Sequence, residues 1–393
     1  MLYLRWLETS RHFASQPAIF DGGNSVTFSE LAAAVERRER AVGPVIARTG
    51  DVGFFVEILR AWRDGQAVVP VERDAPEPVL KASPSADIRL VKYTPGAAGV
   101  PRGIFLNAPQ IMADAAQLVS VMNLATEVPN LAVVSVAHSY GFSSVVLPLL
   151  LHGVPARFVP VPFPRVVEES LKQHPAMVVP AVPSMWRAWH RSGILRHAPI
   201  RLAISAGAPL ALALEREVFA DAGLKIHNFY GASECGGIAY DASATPRESA
   251  TLLGTPIPGV GVEIDAEGRI VVRSAAVADC YDEPRDDDQI GGGVYRTRDL
   301  GIIDSNGDLH LIGTTGGAIN VAGRKVSPAK VEAAIRSTGL VAKVKVFGIP
   351  SSDPERFEEI AAEVELRPGI RLDELKSAAA ACLQSWEIPR HWK

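Results

Sequence analysis

His227-Asn228-Phe229-Tyr230-Gly231-Ala232-Ser233-Glu234-Cys235-Gly236-Gly237-Ile238-Ala239-Tyr240 is the stretch on which the reading of this chain turns. The apolar run over 224–229 has the character of a strand, and it delivers an aromatic ring and then a glycine. A hydroxyl and a carboxylate follow at once, and a Gly-Gly pair closes the turn. The ring offers a flat face, and the glycine lets backbone approach a ligand closely. Ser233 and Glu234 offer a phosphate hydrogen bond and a hard oxygen ligand for a metal. The same order also suits an ordinary strand end with a polar turn, so its neighbours must decide.

Upstream, strand and helix signals alternate. A helix is expected over 27–36, where a serine precedes an Ala-rich run, and another over 52–62, followed by a short strand over 67–71. A strand over 88–93 leads into Thr94-Pro95-Gly96-Ala97-Ala98-Gly99-Val100-Pro101-Arg102-Gly103, a tight turn whose N–H groups can cradle an anion or simply join a strand to the helix expected over 107–123. A buried-type strand over 132–136 ends in A-H-S-Y-G-F. Open α/β sheets place ligands at such ends, which makes His138 a pocket candidate, although a lone histidine more often satisfies a local hydrogen bond. Further helices are expected over 145–151, 183–191 and 211–222, and strands over 156–159, 177–182 and 202–205. This alternation predicts a layered α/β domain with a parallel sheet.

Downstream the character changes. Short strands over 260–264, 269–273, 294–298, 301–303 and 309–312, with turns at Glu267-Gly268 and Asn306-Gly307, predict a β-rich subdomain. The acidic loop 286–293 reads as a solvated turn. Two Gly-rich bends after Thr314 suggest a hinge. A helix over 329–337, strands over 344–349 and 359–366, and a helix over 372–383 then form a small α+β domain. The expected division is residues 1–312 and 313–393.

Composition narrows the function class. The chain has 393 residues, 47% hydrophobic and 21% charged, enough for at least one large core. A formal charge of -4 points to neither a nucleic-acid groove nor a membrane patch. The three cysteines, Cys235, Cys280 and Cys382, lie far apart, which fits a reducing, cytoplasmic setting. No signal peptide or membrane span is expected.

Taken in order, these motifs resemble those of the adenylate-forming superfamily: acyl- and aryl-CoA synthetases, fatty acyl-AMP ligases, nonribosomal adenylation domains and luciferases. Val26 to Leu31 is similar to the family's first helix, and Ala61 to Val71 to its "lkaGavyvPl" segment. Thr94 to Gly103 stands where the family has its phosphate loop, and His138-Ser139-Tyr140-Gly141 at its pocket-lining motif. Ser205 to Leu210 matches the loop beside adenine, Tyr230 to Glu234 matches Y-G-x-[ST]-E, and Tyr295 to Gly301 matches "yrTGDlg". Gly268 to Tyr281 follows "GEl…GY" with Cys280 in place of glycine, and Asn320 to Val326 and Ser385 to Lys393 resemble the post-hinge and final segments.

The resemblance implies roles. Tyr230 stacks on adenine opposite Gly207, Ala208 and Pro209, and Asp299 holds the ribose. Ser233 bonds the α-phosphate, and Glu234 coordinates Mg²⁺. Gly96, Gly99 and Arg102 belong to the phosphate loop, His138 to the mouth of the acyl pocket, and Gly323 to the pantetheine approach. The implied reaction is ATP-dependent activation of a carboxylic acid as an acyl-adenylate, followed by transfer to the thiol of CoA or of an acyl carrier protein. Tyr140, Phe142, Trp186 and Phe229 either line a pocket for an aryl or medium-length acyl acid or are plain core.

The chain also departs from the family. Pro95, Ala97 and Ala98 replace hydroxyl residues of the phosphate loop, and Arg102 replaces its lysine. Thr314 stands at a ribose-binding arginine, and Gly317 at the residue about which the small domain swings. The sequence ends at Lys393, before the segment in which the family places its adenylation lysine. These departures keep a second expectation open: a degenerate relative that acts as a binding or partner protein, or that handles a pre-activated acyl group.

Overall fold

The computed structural model describes residues 1–94, 102–159, 161–285, 288–315, 319–321, 324–351 and 358–393. At its centre is a run of parallel strands. Pro17–Asp21, Ala156–Phe158 and Asn130–Ala132 pair in that order, and Met177–Ala181, Ile200–Ser205 and Ile226–Ala232 continue the sheet. Met177–Ala181 is buried along its whole length, as a strand covered on both faces must be. A second parallel set, Val45–Arg48, Val68–Val71 and Ile88–Thr94, continues into two antiparallel strands, Arg102–Asn107 and Cys280–Tyr281.

Local chemistry explains where the helices begin. Thr27 caps Phe28–Glu36 in a reciprocal box with Glu30, so the cap is the threonine and not the serine that follows. Asn107 and Gln110 make the same box at the start of Ala108–Val121. Pro183 opens Pro183–Arg191 at a position that needs no N–H, and the helix buries Trp186 and Trp189 edge to face, 5.1 Å apart.

The structure corrects several expectations. The strand Ile88–Thr94 is followed in the described residues by a second strand, Arg102–Asn107, paired antiparallel to it, and not directly by a helix. The strand expected over 132–136 ends at Ala132. Gly141 packs so closely on the Ser135 carbonyl that a side chain has no room, and a π-helical turn, Phe142–Val146, precedes the helix Leu147–His152. The helix Leu2–His12 was not anticipated.

At Ile226–Ala232 the central sheet changes from parallel to antiparallel. It returns as Gly236–Tyr240, continues through Leu252–Pro256 to Leu309–Thr315, and pairs there with Val294–Ile303. Leu309–Thr315 also pairs with Val341–Pro350, through Thr314–Gly348 and Thr315–Phe347. Val341–Pro350, Glu358–Leu366 and the helices Pro328–Ser337 and Leu372–Cys382 enclose a core of their own that includes Val331, Ile335, Val346 and Leu375. The division expected after Ile312 therefore falls inside a strand that both parts share.

Half-buried histidines set an acid limit on this fold. Burial holds His152, His174 and His227 below the ordinary histidine range, and Arg5, Arg157 and Lys225 respectively add to the effect. At His227 the bond to the Asp241 carbonyl works against burial. The unfolded chain takes up protons below about pH 6.5 that the folded chain refuses. Stability is thus full above that pH and is lost as pH falls through the depressed folded values. The melting temperature is expected to drop between pH 7.5 and 5.5. A triple His152→Gln/His174→Gln/His227→Gln variant should flatten that drop; an equally steep profile in the variant would assign it elsewhere.

Candidate active site

The hairpin made by Ile226–Ala232 and Gly236–Tyr240 carries the stretch that opened the sequence reading. Tyr230 pairs with Ala239 across it, and residues 233–235 form its turn. Gly231 is obligatory here, since a side chain would meet the Gly236 carbonyl at 2.6 Å. The Tyr230 hydroxyl donates to Asp299 Oδ2 at 2.5 Å. Burial, with the Asp299 charge behind it, pushes the phenol well above its usual range. Thr314 donates to the other oxygen of Asp299 at 2.9 Å. Both oxygens of the expected ribose clamp are therefore held, one by the tyrosine and one by the residue that replaces arginine.

A cavity of about 310 Å³ opens at this point. Gly207, Ala208 and Pro209 line one wall, Tyr230 and Gly231 another, and Asp299 and Thr314 the far side. Gly207 has φ +79°, a left-handed conformation that glycine adopts without strain. Pro350 and Glu358, from the C-terminal part, also reach this cavity. Nothing in the sequence had pointed to those two residues.

The wall formed by 207–210 is anchored from below by a buried ionic group. Arg247 donates Nη2 to the Leu210 carbonyl at 2.7 Å and Nη1 to the Leu252 carbonyl at 2.6 Å. Its Nε donates to Glu215 at 2.8 Å, and Lys225 bridges Glu215 to Asp241. Sequence reading missed this group, because its members are scattered over two helix and strand ends and a loop.

Beyond the hairpin turn lies the expected phosphate end. Glu234 is half-buried and its Oε1 accepts from the Tyr281 hydroxyl at 2.9 Å. Burial pushes the carboxyl up, against the opposing effects of that hydrogen bond and of the charges on Arg298 and Lys92. Ser233 lies half-buried beside it. One hard carboxylate is the protein donor set that Mg²⁺ takes when phosphates and water supply the remaining ligands, so Glu234 fits that ion. Among the described residues, no cluster of three or more His, Cys, Asp or Glu side chains forms a metal cage.

Arg102 is already engaged. Its guanidinium meets Asp288 in a two-pronged pair, at 2.8 and 2.5 Å, donates to the Glu283 carbonyl at 2.6 Å, and stacks 3.8 Å above the Tyr281 ring. The acidic loop read as a solvated turn thus supplies a half-buried partner at Asp288. Gly96 and Gly99, like Pro95, Ala97, Ala98, Gly317 and Gly323, lie outside the described residues.

His138 stands apart from the nucleotide-sized cavity. Its side chain is 70% exposed, with Nε2 3.7 Å from Glu72. Glu72 also accepts from Thr49 and Ser135, and it lines a second cavity at the strand ends near Phe54 and Phe158. The four aromatic residues do not meet in one pocket. Phe142 and Trp186 are fully buried in two different cores, while Tyr140 and Phe229 share a third, where the Tyr140 hydroxyl reaches the Ile204 carbonyl at 3.3 Å.

Comparison with known proteins agrees with this geometry. The family model described as AMP-binding enzyme matches residues 48–282. A long-chain-fatty-acid–CoA ligase of Bacillus subtilis (strain 168) is 24% identical over 368 residues, covering 88% of this chain and 63% of that protein. A 4-coumarate–CoA ligase-like protein of Oryza sativa subsp. japonica is 26% identical over 352 residues, covering 81% and 60%. The chain thus spans less than two thirds of the length of these relatives. Among solved structures, o-succinylbenzoate CoA synthetase from Bacillus subtilis in complex with an acyl-adenylate intermediate superposes with a TM-score of 0.69 at 18% identity, over 99% of this chain and 93% of that one. A Mycobacterium tuberculosis fatty acyl CoA synthetase superposes with a TM-score of 0.73 at 17% identity, over 100% and 93%. At such identities the superpositions establish the shared fold.

Proposed function

The chain belongs to the AMP-binding enzyme family, and from that membership we propose that it activates a carboxylic acid with ATP as an acyl-adenylate and passes the acyl group to a thiol. The observation that carries this reading is the meeting of Gly207–Pro209, Tyr230 and Asp299 around one cavity. Those residues are separated by up to 92 positions in the chain, and each was expected to touch the nucleotide. The relatives' names, all acid–CoA ligases, favour CoA as the acceptor over a carrier protein.

In this reading adenine lies between Tyr230 and the 207–209 loop, and the ribose takes over Asp299. Glu234 is the side chain that would hold Mg²⁺, which when bound would neutralise phosphate charge as the carboxylate attacks. Ser233 would donate to the α-phosphate, and His138 would face the arriving acceptor. We also propose that residues 1–312 and 313–393 act as two domains, because the smaller part encloses a core of its own around Val331, Ile335 and Leu375.

A second reading, a relative that binds a nucleotide or an activated acyl group without adenylating, is favoured by one observation. Arg102, at the phosphate-loop lysine position, is held by Asp288. Exchange of labelled pyrophosphate into ATP, driven by a panel of fatty and aryl acids, separates the two. Acid-dependent exchange is expected for the ligase. Nucleotide binding by calorimetry with no exchange for any acid would leave the second reading, and no binding at all would remove both.

A further inference from the structure

Behind the hairpin turn lies a polar group that no expected role uses. Lys92, in the strand Ile88–Thr94, is only 2% exposed, as is Asp114 in the helix Ala108–Val121. Lys92 Nζ lies 3.5 Å from Asp114 Oδ2 and donates to Ser143 Oγ at 3.1 Å. Ser143, in the π-helical turn, donates to Asp114 Oδ2 at 2.6 Å. The other carboxylate oxygen, Oδ1, is pressed against Gly236, where φ is +70° and any side chain would strike it.

Each contact lands on a different segment of the candidate site. Lys92 is two residues from Thr94, where the phosphate-loop segment begins. Ser143 follows the His138–Gly141 motif, and Gly236 is two residues beyond Glu234. A buried ion pair is a poor source of stability, because apolar replacements of similar volume often serve as well or better. A pair kept at the junction of three site segments is better explained by the geometry it fixes. π-Helical turns likewise concentrate at functional sites.

We propose that Lys92, Asp114 and Ser143 are positioning residues that clamp the Glu234 turn to the strand entering the phosphate loop. They set the phosphate end of the nucleotide site independently of the adenine end. This inference rests on the nucleotide reading of the site.

The test uses Asp114→Ala, the double variant Lys92→Met/Asp114→Ala, and the milder Ser143→Ala. Asp114→Ala alone strands a buried ammonium, so it should melt below the double variant, which removes that charge as well. In the double variant, affinity for adenosine, which carries no phosphate, should stay within twofold of the unmodified protein. Affinity for Mg²⁺·ATP should fall at least tenfold, and amide exchange over 233–238 should quicken at least tenfold. Ser143→Ala, which keeps the pair, should lose about threefold in Mg²⁺·ATP affinity and serves if the double variant does not fold. Mg²⁺·ATP binding that matches the unmodified protein, or an equal loss for adenosine, would overturn the proposal. If the unmodified protein binds neither ligand, the nucleotide reading fails by itself. Amide exchange then decides the clamp: quickening confined to 233–238 upholds it, and unchanged protection removes it.

Discussion

Glu215→Leu is expected to lower folding stability by about 3–5 kcal/mol, the usual cost of breaking a buried pair from one side. Glu215 is fully buried and accepts from Lys225 and from both the backbone and the side chain of Arg247. Removing it leaves Arg247 buried with no carboxylate partner, while Lys225 keeps Asp241. The double variant Glu215→Leu/Arg247→Met should recover much of the loss in a denaturant titration, because it removes both charges. It should not recover the nucleotide site. Arg247 lines the cavity and holds the Leu210 carbonyl, so the 207–210 wall loses its anchor in the double variant, while the single variant loses only the carboxylate that orients it. Nucleotide affinity is therefore expected to stay low while stability returns. If affinity and stability instead rise together in the double variant, the network is structural and nothing more.

The ease of reading the chain followed the range of the forces involved. The helix Pro183–Arg191 was legible to the residue because proline, spacing and the Trp186/Trp189 pair are all local signals. The strand Arg102–Asn107 was not, since its partners Ile88–Thr94 and Cys280–Tyr281 define it, and its last residue doubles as a helix cap. The helix Leu2–His12 was hidden by Arg5, Glu8 and Arg11 among its apolar residues, although Leu2 and Trp6 bury one face.

The site followed the same rule. Tyr230, the 207–209 loop and Asp299 were readable because each sits in its own short motif. The couplings between them were not readable. Tyr230 meets Asp299 across 69 residues, Arg102 meets Asp288 across 186, and Ser143 meets Asp114 across 29. Such pairs are products of sheet order, which no local pattern encodes. They change the meaning of the residues involved. Asp299 has both carboxylate oxygens oriented by neighbours, and Arg102 braces the wall that holds Tyr281.

That wall gives Glu234 its setting, and Glu234→Ala is the substitution expected to separate catalysis from folding. The carboxylate accepts from the Tyr281 hydroxyl, and its backbone carbonyl accepts from Ala278 N at 2.8 Å, a bond that alanine keeps. The turn should therefore survive the change. Removing a group aimed at developing charge in a transition state costs about 10²–10³-fold in rate. Acid-dependent pyrophosphate exchange is expected to fall by about that factor, with a melting temperature at or above that of the unmodified protein, since a half-buried carboxylate disfavoured by its surroundings has been removed. Glu234→Gln should be nearly as inactive, because it keeps the shape and the bond to Tyr281 but loses the charge that a hard cation needs. Tyr281→Phe removes only the orienting hydroxyl, and its loss should be about tenfold, the low end of the net worth of a hydrogen bond to a charged group. The order Glu234→Ala, Glu234→Gln, Tyr281→Phe in falling severity identifies charge at this atom as the requirement. A Glu234→Gln variant that exchanges like the unmodified protein would place the metal elsewhere and leave Glu234 as a hydrogen-bond partner of Tyr281.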